Sequence, residues 1–279
     1  MTLSLQLISA VLSAAAASAD ATPNPSSAVS PQDAPPPEYP QWSGALAAGM
    51  IITGGNSDSV SGNASFNAQR RAEKDRWTFD AFWNWSQQGA DTTEQPPLPA
   101  NQVEDNDDTE VTTLNGGAGI KYDYFATKKL YYYANATGKS DPVADLDLRY
   151  ILGAGVGYQW REDEKVKWGT ELGLSYVDED YLGTVDDTSS VAVRVASNLG
   201  WVISERTSFE QVAEAYPNLE DSEDFIAKVD NRLKMIITGK WIAQLQYVLD
   251  FDDSTPSGIE EADHRFIMGI GWSFGEAQS

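Results

Sequence analysis

The sequence predicts an all-β fold, an antiparallel transmembrane β-barrel of about twelve strands, and three observations support this prediction. Most segments from 42 to 274 alternate apolar residues with small or polar ones, as strands between lipid and a polar lumen do. Short connections alternate along the chain with longer, acidic ones. Aromatic residues are abundant, with 9 Trp and 12 Tyr, as the two interfacial girdles of such a barrel require.

Composition excludes several classes of protein. The 279 residues include 19 Lys+Arg and 42 Asp+Glu, and a net charge of −23 does not suit nucleic-acid binding, which needs a basic surface. There is no Cys, which excludes a disulfide framework, a thiolate metal site and a Cys nucleophile. The mean hydropathy of −0.39 argues against a helical membrane protein. It does not argue against a barrel, because alternation hides the apolar residues.

The N-terminus predicts export. Residues 1–19 form an apolar, small-residue run that ends in Ala17-Ser18-Ala19, an A-x-A cleavage site of a secretory signal peptide, although no Lys or Arg precedes it. Residues 20–41 are rich in Pro, Ser and Ala, which predicts an extended, disordered leader in the periplasm. This leader is either a plain linker or a segment that contacts peptidoglycan or a periplasmic partner.

The first six strands follow from alternation and turn signals. The first ends before Gly54-Gly55-Asn56-Ser57, the third carries Trp and Phe at even spacing, and the long Pro-containing segment 87–109 separates it from the fourth. The sixth places Leu148, Leu152 and Val156 on one face and glycines on the other. We expect these strands at residues 42–53, 59–71, 77–85, 111–124, 130–137 and 146–160.

The second half continues the pattern. The ninth strand alternates least, because Glu210 and Glu214 leave only a mild apolar face. An even number of strands places both termini on the periplasmic side, and the barrel should cover 42–274 with a tail at 275–279. The remaining strands are expected at residues 166–176, 191–201, 208–216, 225–237, 241–251 and 264–274.

Two motifs resemble a known family. WSGALAAGMIITGGNSDS, at the start of the predicted barrel, and DLDLRYILGAGVGYQ, at 145–159, resemble the opening and the internal Arg-plus-Gly strand of the domain-of-unknown-function 481 family. That family is described as salt-induced outer membrane proteins, and the resemblance covers about 42–274. It implies a Gram-negative outer-membrane barrel of unassigned activity, with a link to salt or osmotic stress. It supplies no catalytic residues.

Charged residues on the inward face are the first candidate site. Both signs are present in similar numbers, so the charges can either line a narrow pore or pair across the lumen as a structural network. A porin for anionic sugars would instead carry a mainly basic lumen. The inward residues are Lys121, Asp123, Asp147, Arg149, Lys167, Glu171, Arg194, Asp230, Arg232, Lys234 and Arg265.

Acidic loops are a second candidate site. Carboxylate oxygens suit hard cations, so the loops are candidates for loosely bound Ca²⁺ or Mg²⁺ shared with lipopolysaccharide phosphates. The alternative is a solvated face that keeps the protein soluble. The EDNDD run lacks the Gly and Glu spacing of an EF-hand loop. The candidate ligands are Asp105, Asp107, Asp108, Asp186 and Asp187.

Two further features favour structure over catalysis. His264 is the only His, and no G-x-S-x-G elbow accompanies it, so it is interpreted as an interfacial residue and the protein as not an enzyme. Gly153, Gly155 and Gly157 lie mid-strand and should leave room in the lumen for large side chains from the opposite wall. Tyr131 and Tyr133 are the candidates for these side chains.

Two classes of function remain open from the sequence. One is a narrow channel for ions or small solutes. The other is a non-conducting structural or stress-response barrel whose acidic loops bind divalent cations or organise surface lipid. The expected location is the outer membrane, and the expected partners are its lipid, lipopolysaccharide and the barrel-assembly machinery. Phe274 is consistent with recognition by the barrel-assembly machinery, because outer-membrane barrels commonly end their last strand on an aromatic residue. The oligomeric state is not predicted.

Overall fold

A computed structural model describes residues 40–53, 59–89, 109–183, 186–221, 224–253 and 261–275. The predicted signal peptide, nearly all of the predicted leader and residues 276–279 lie outside these ranges. The strands are β1 (Gln41–Thr53), β2 (Ser59–Arg71), β3 (Asp75–Gly89), β4 (Thr109–Phe125), β5 (Leu130–Asp141), β6 (Leu146–Glu162), β7 (Val166–Tyr181), β8 (Thr188–Ser204), β9 (Thr207–Pro217), β10 (Phe225–Thr238), β11 (Trp241–Asp252) and β12 (Ala262–Gly275).

The twelve strands form one closed antiparallel barrel. Each strand pairs with its sequence neighbours, and β1 pairs with β12 from Ser43↔Gly275 to Ala48↔Ile270. Because β1 pairs with β12, every described strand has a partner on both sides and none forms an open sheet edge. The prediction of an antiparallel barrel of twelve strands is therefore confirmed. Within the described residues, no helix is long and apolar enough to cross a bilayer.

The two ends of the barrel differ in their connections. At one end, which we call the turn end, segments of two to four residues join β2 to β3, β4 to β5, β6 to β7, β8 to β9 and β10 to β11. At the other, the loop end, the connections reach 19 residues between β3 and β4. A short 3₁₀ turn, Pro142–Ala144, joins β5 to β6 there, and Asp145 follows it at φ 57°. The first strand begins and the last strand ends at the turn end.

Side chains divide between the two faces as alternation predicts. Large apolar side chains such as Met50, Leu172 and Phe266 lie exposed on the outside of the barrel. Inside, polar and charged side chains such as Asp123 and Arg194 are buried. The polar interior and the apolar exterior follow from the two-residue period of a strand.

The start of β6 departs from strict alternation. A register shift between Leu146 and Leu148 in the pairing with β7 marks a β-bulge, which gives one strand an extra residue and re-aims its side chains. Leu146 consequently turns inward and is buried, whereas Leu148 and Asp147 are exposed. The prediction that Asp147 faces the lumen is wrong for this reason.

Candidate functional site

A chain of ion pairs lines one side of the lumen. Arg76 Nε donates to Asp123 Oδ2 at 2.6 Å, and Lys121 Nζ lies 3.0 Å from Asp123 Oδ1. Lys121 also pairs with Glu171 on β7, although β5 and β6 lie between their strands. Arg194 Nη1 lies 2.7 Å from Glu171 Oε2 and completes the link to β8.

The same chain of pairs extends to β9. Arg194 Nη2 lies 2.5 Å from Glu214 Oε1, so the pairs connect one side of the barrel from β3 to β9. Glu171 and Arg194 are 3 % and 2 % exposed, so this side of the lumen is desolvated around them. We call these residues the lumen network: Arg76, Lys121, Asp123, Glu171, Arg194 and Glu214.

Two tyrosines of β5 fill the space beside the lumen network. Tyr131 donates from its hydroxyl to Glu171 Oε1 at 2.8 Å, and its ring lies over Gly157, where a Cβ would stand 2.2 Å from the Tyr131 Cζ. Tyr133 lies over Gly155 and Gly173 in the same way. The glycines therefore make room for these rings. The rings come from β5, the neighbour of β6, and not from the opposite wall as predicted.

Other ion pairs cross the lumen at the loop end. Lys139 on β5 and Asp250 on β11 belong to strands on opposite sides of the barrel, and their Nζ and Oδ2 atoms are 3.4 Å apart. Arg149 on β6 pairs with Glu179 on the neighbouring β7 and with Asp252 on β11. We call Lys139–Asp250 and Arg149–Asp252 the crossing pairs.

A cavity of about 140 Å³ lies beside the crossing pairs, and residues of nine strands line it. Lys139, Arg149 and Lys228 are its basic groups, and the Lys228 Nζ lies 5.3 Å from the centroid of the Phe82 ring across the barrel. Carboxylates outnumber these cations, so the cavity favours cations over anions. The acidic groups are Asp80, Asp141, Glu214, Asp250, Asp252, Glu261 and Asp263.

The remaining predicted lumen charges also face inward. Arg232 Nη2 lies 2.5 Å from Asp230 Oδ2, and Lys234 Nζ lies 2.7 Å from Glu210 Oε2. Arg265 Nη2 lies 2.5 Å from Asp250 Oδ2, next to a crossing pair. Lys167 lies opposite Glu162 of β6, and no ion pair of Lys167 within 4.0 Å is present in the described part of the chain.

Several lumen charges were missed by the sequence prediction. Lys139 was not predicted to face the lumen because the predicted fifth strand ended at residue 137, whereas β5 continues to Asp141. In the sequence, Glu210 and Glu214 leave β9 with only a mild apolar face. Both point inward, where Glu210 pairs with Lys234 and Glu214 pairs with Arg194. Strict alternation along β9 would have identified these glutamates, because both lie at every-second positions of the strand, which face the lumen.

Of the predicted metal ligands, only Asp186 and Asp187 lie in the described part of the chain. Asp105, Asp107 and Asp108 lie outside the described residues. Asp186 and Asp187 are exposed, and Asp187 Oδ1 accepts a hydrogen bond from the Tyr181 N–H at 3.1 Å.

A different acidic group forms at the loop end. Carboxylate oxygens of Asp224, Asp252 and Asp253 lie within 4.8 Å of one another. Asp252 also pairs with Arg149, and Asp253 accepts a hydrogen bond from the Phe225 N–H. Burial raises the pKa of Asp253, which follows the last residue of β11. Calcium or magnesium binding at the loops thus remains a prediction.

His264 lies on the outside of the barrel. Its Nδ1 is 2.8 Å from the Tyr247 hydroxyl, and the two rings are stacked with centroids 6.1 Å apart. It is exposed and faces away from the lumen carboxylates.

Comparison with known proteins identifies a family model. The model described as "Protein of unknown function, DUF481" matches residues 46–274. No curated protein matches the chain.

Solved structures resemble the barrel at low identity. The NanC porin has 8 % identity and a TM-score of 0.46, over 82 % of this chain and 98 % of that one. The translocator domain of the autotransporter NalP from Neisseria meningitidis has 8 % identity and a TM-score of 0.40, over 97 % and 96 %. A TodX monoaromatic hydrocarbon channel mutant has 8 % identity and a TM-score of 0.33, over 85 % and 81 %. Likeness at these scores carries no inference about activity.

Proposed function

The chain belongs to the DUF481 family of proteins of unknown function, and from the geometry of its lumen we propose that it forms a narrow, gated pathway for ions or small solutes in the bacterial outer membrane. Two classes of ion pair in the lumen support this function, one desolvated and one in contact with water.

The exterior supports the location. Apolar side chains cover the outside of the closed barrel, with aromatic residues such as Trp160, Trp201, Trp241 and Trp272 near the turn end of their strands. This matches the lipid-facing band and aromatic girdle of an outer-membrane barrel. The turn end and the N-terminal leader would then lie in the periplasm, and the acidic loop end would face outward.

The contrast between the Arg194–Glu171 pair and the Lys139–Asp250 pair carries the proposal. Side chains of Arg194 and Glu171 in the network are 3 % and 0 % exposed, whereas Lys139 and Asp250 of a crossing pair are 22 % and 19 % exposed. A buried pair is costly to break, because a lone charge would remain in a desolvated site. A partly hydrated pair is weaker. We therefore assign Arg194–Glu171 to the scaffold and Lys139–Asp250 to the gate, and Arg149–Asp252, with side chains 11 % and 14 % exposed, lies between these two cases.

Salt provides the gating stimulus in this scheme. The Debye length falls from about 10 Å at 0.1 M salt to about 3 Å at 1 M, so salt weakens hydrated pairs more than buried ones. Raising the ionic strength would loosen Lys139–Asp250 and leave the buried Arg194–Glu171 pair in place. The family resemblance implies a link to salt or osmotic stress. Screening of the gate by salt is a physical basis for that link.

Conductance of the refolded mature barrel in a planar bilayer tests the proposal. We expect discrete steps whose open probability rises from 0.1 to 1 M KCl (about a threefold change in Debye length). Arg149→Ala should open at the lower salt and prefer cations, since it frees Glu179 and Asp252. Arg161→Ala is the matched control, because that exposed arginine pairs with Asp163 in a turn. Silence of wild type and Arg149→Ala, with folding shown by heat-modifiable gel mobility, would exclude the channel.

A non-conducting structural or stress-response barrel is the second candidate function. The observation that favours it is the proximity of Asp224, Asp252 and Asp253 at the loop end, where divalent cations could join the protein to lipopolysaccharide. This function predicts silence in the bilayer together with thermal stabilisation by Ca²⁺ or Mg²⁺ that Asp253→Asn abolishes. A conducting barrel with no response to either cation would contradict it.

A further inference from the structure

A pair of amide side chains lies on the outside of the barrel between apolar residues. Gln211 on β9 donates from Nε2 to Asn231 Oδ1 on β10 at 2.8 Å, and the two residues are opposite each other in the strand register. Asn231 is near the middle of β10, and Val229 and Leu233 flank it on the same outward face. If the exterior is covered by lipid, as the proposed function requires, this pair lies at the depth of the hydrocarbon.

This position is unusual for amides in this chain. Every other Asn or Gln in the described strands faces the lumen or lies within three residues of a strand end, as Asn115, Gln244 and Gln246 illustrate by their burial inside. Polar side chains within a bilayer generally face protein or water and seldom lipid, because lipid offers them no hydrogen bonds.

One hydrogen bond leaves much of the pair unsatisfied. A Gln or Asn amide has two N–H donors and a carbonyl oxygen with two lone pairs. The bond from Gln211 to Asn231 uses one donor and one lone pair. The Gln211 carbonyl, its second N–H and both N–H groups of Asn231 therefore require further partners, which acyl chains do not supply. These groups include both donors and acceptors, so the same pair on a second barrel could form hydrogen bonds with them.

The neighbours of the amides on the outer surface are mainly large apolar side chains. In the strand register, Leu199 lies beside Gln211 and Tyr247 lies beside Asn231. We call this surface the amide face and define it by Leu199, Gln211, Val229, Asn231, Leu233 and Tyr247.

We propose that the amide face binds a second copy of this chain in the membrane. A two-fold axis normal to the bilayer would bring the amide face of one protomer against that of its partner, so that Gln211 of each reaches Asn231 of the other. Such an isologous contact satisfies donors and acceptors on both sides at once. The dimer depends on the proposed membrane location but not on conduction, because the lumen network and the crossing pairs lie on the other face of the strands.

Cross-linking in native membranes tests the dimer. The chain has no Cys, so single cysteines can be placed freely. Val229→Cys, beside Asn231, should give a disulfide or short bis-maleimide dimer. Ile120→Cys, an exposed outward residue of β4 on the opposite side of the barrel, should give none. Equal cross-linking at both positions, or none at Val229→Cys, would overturn the proposal.

Removal of the amides provides the second test. Val229→Cys combined with Gln211→Leu and Asn231→Leu should fold, float with membrane vesicles and cross-link at least about tenfold less, which corresponds to about 1.4 kcal/mol. Its conductance per barrel should match that of the Val229→Cys parent. Unchanged cross-linking would overturn the role of the amides. Failure of the wild-type barrel to float would overturn the membrane location itself, whereas a floating monomer would overturn only the dimer.

Discussion

Lys139 on β5 and Asp250 on β11 meet across the lumen, with Nζ and Oδ2 3.4 Å apart, although five strands lie between theirs in either direction around the barrel. This contact narrows the lumen at the loop end, and both side chains remain partly exposed. The lumen network, in contrast, follows one wall, and its central pair Arg194–Glu171 is nearly fully buried.

Glu171→Ala should destabilise the barrel strongly. Its carboxylate pairs with Lys121 and Arg194 and accepts the Tyr131 hydroxyl, so its loss leaves cations buried without a counter-charge. We expect a loss of ~3–5 kcal/mol in the free energy of unfolding. Urea unfolding in lipid vesicles, followed by Trp fluorescence, measures it. Arg161→Ala, in a pair 45 % and 44 % exposed, should change stability by less than about 0.5 kcal/mol. An equal effect of the two variants would contradict the assigned scaffold role.

Gly157→Ala should destabilise by forcing Tyr131 from its position. The added Cβ would stand 2.2 Å from Tyr131 Cζ, and overpacking of this kind costs ~1–3 kcal/mol. Gly138→Ala is the control, because nothing lies within 4 Å of its added Cβ. The same unfolding assay should show the cost of Gly157→Ala shrinking in a Tyr131→Ala background. A cost independent of Tyr131 would show that the glycine serves the backbone and not the ring.

Salt should weaken a crossing pair and spare a buried one. A double-mutant cycle on Lys139→Ala and Asp250→Ala should give a coupling free energy of less than about 1 kcal/mol at 0.1 M salt. That coupling should approach zero at 1 M salt (about 3 Å screening length), because both side chains are partly hydrated. The equivalent cycle on Arg194 and Glu171 should change little with salt. Coupling at Lys139 that is insensitive to salt would remove the basis for salt gating.

Asp163 should titrate below its usual range. Partial burial raises its pKa, but hydrogen bonds from Arg161 and from the N–H groups of Lys165 and Val166 outweigh this and lower the pKa below 3.8. Its contribution to stability is therefore fully present above the unfolded-chain pKa and is lost as pH falls through the lower folded-state pKa. A ¹³C NMR titration of this carboxyl measures the midpoint. A value at or above 3.8 would show that the turn does not hold the carboxylate.

The faces of the strands could be predicted from the sequence. Alternation is a property of the local backbone, so residues such as Lys121, Glu171 and Arg194 are placed inside without knowledge of any partner. Asp147 shows the limit of this reasoning. A single bulge in β6 re-aims its side chain, and the bulge arises from pairing with β7, which the sequence of β6 does not report.

The sequence by itself determined the twelve strands, their antiparallel order and the charge of the lumen, because each depends on the two-residue period and on short turns between neighbours. Only the tertiary structure decided which charges meet. Lys121 reaches Glu171 over two intervening strands, and Lys139 reaches Asp250 across the barrel. These contacts depend on closure, stagger and lumen width, which are properties of all twelve strands together and of no single segment.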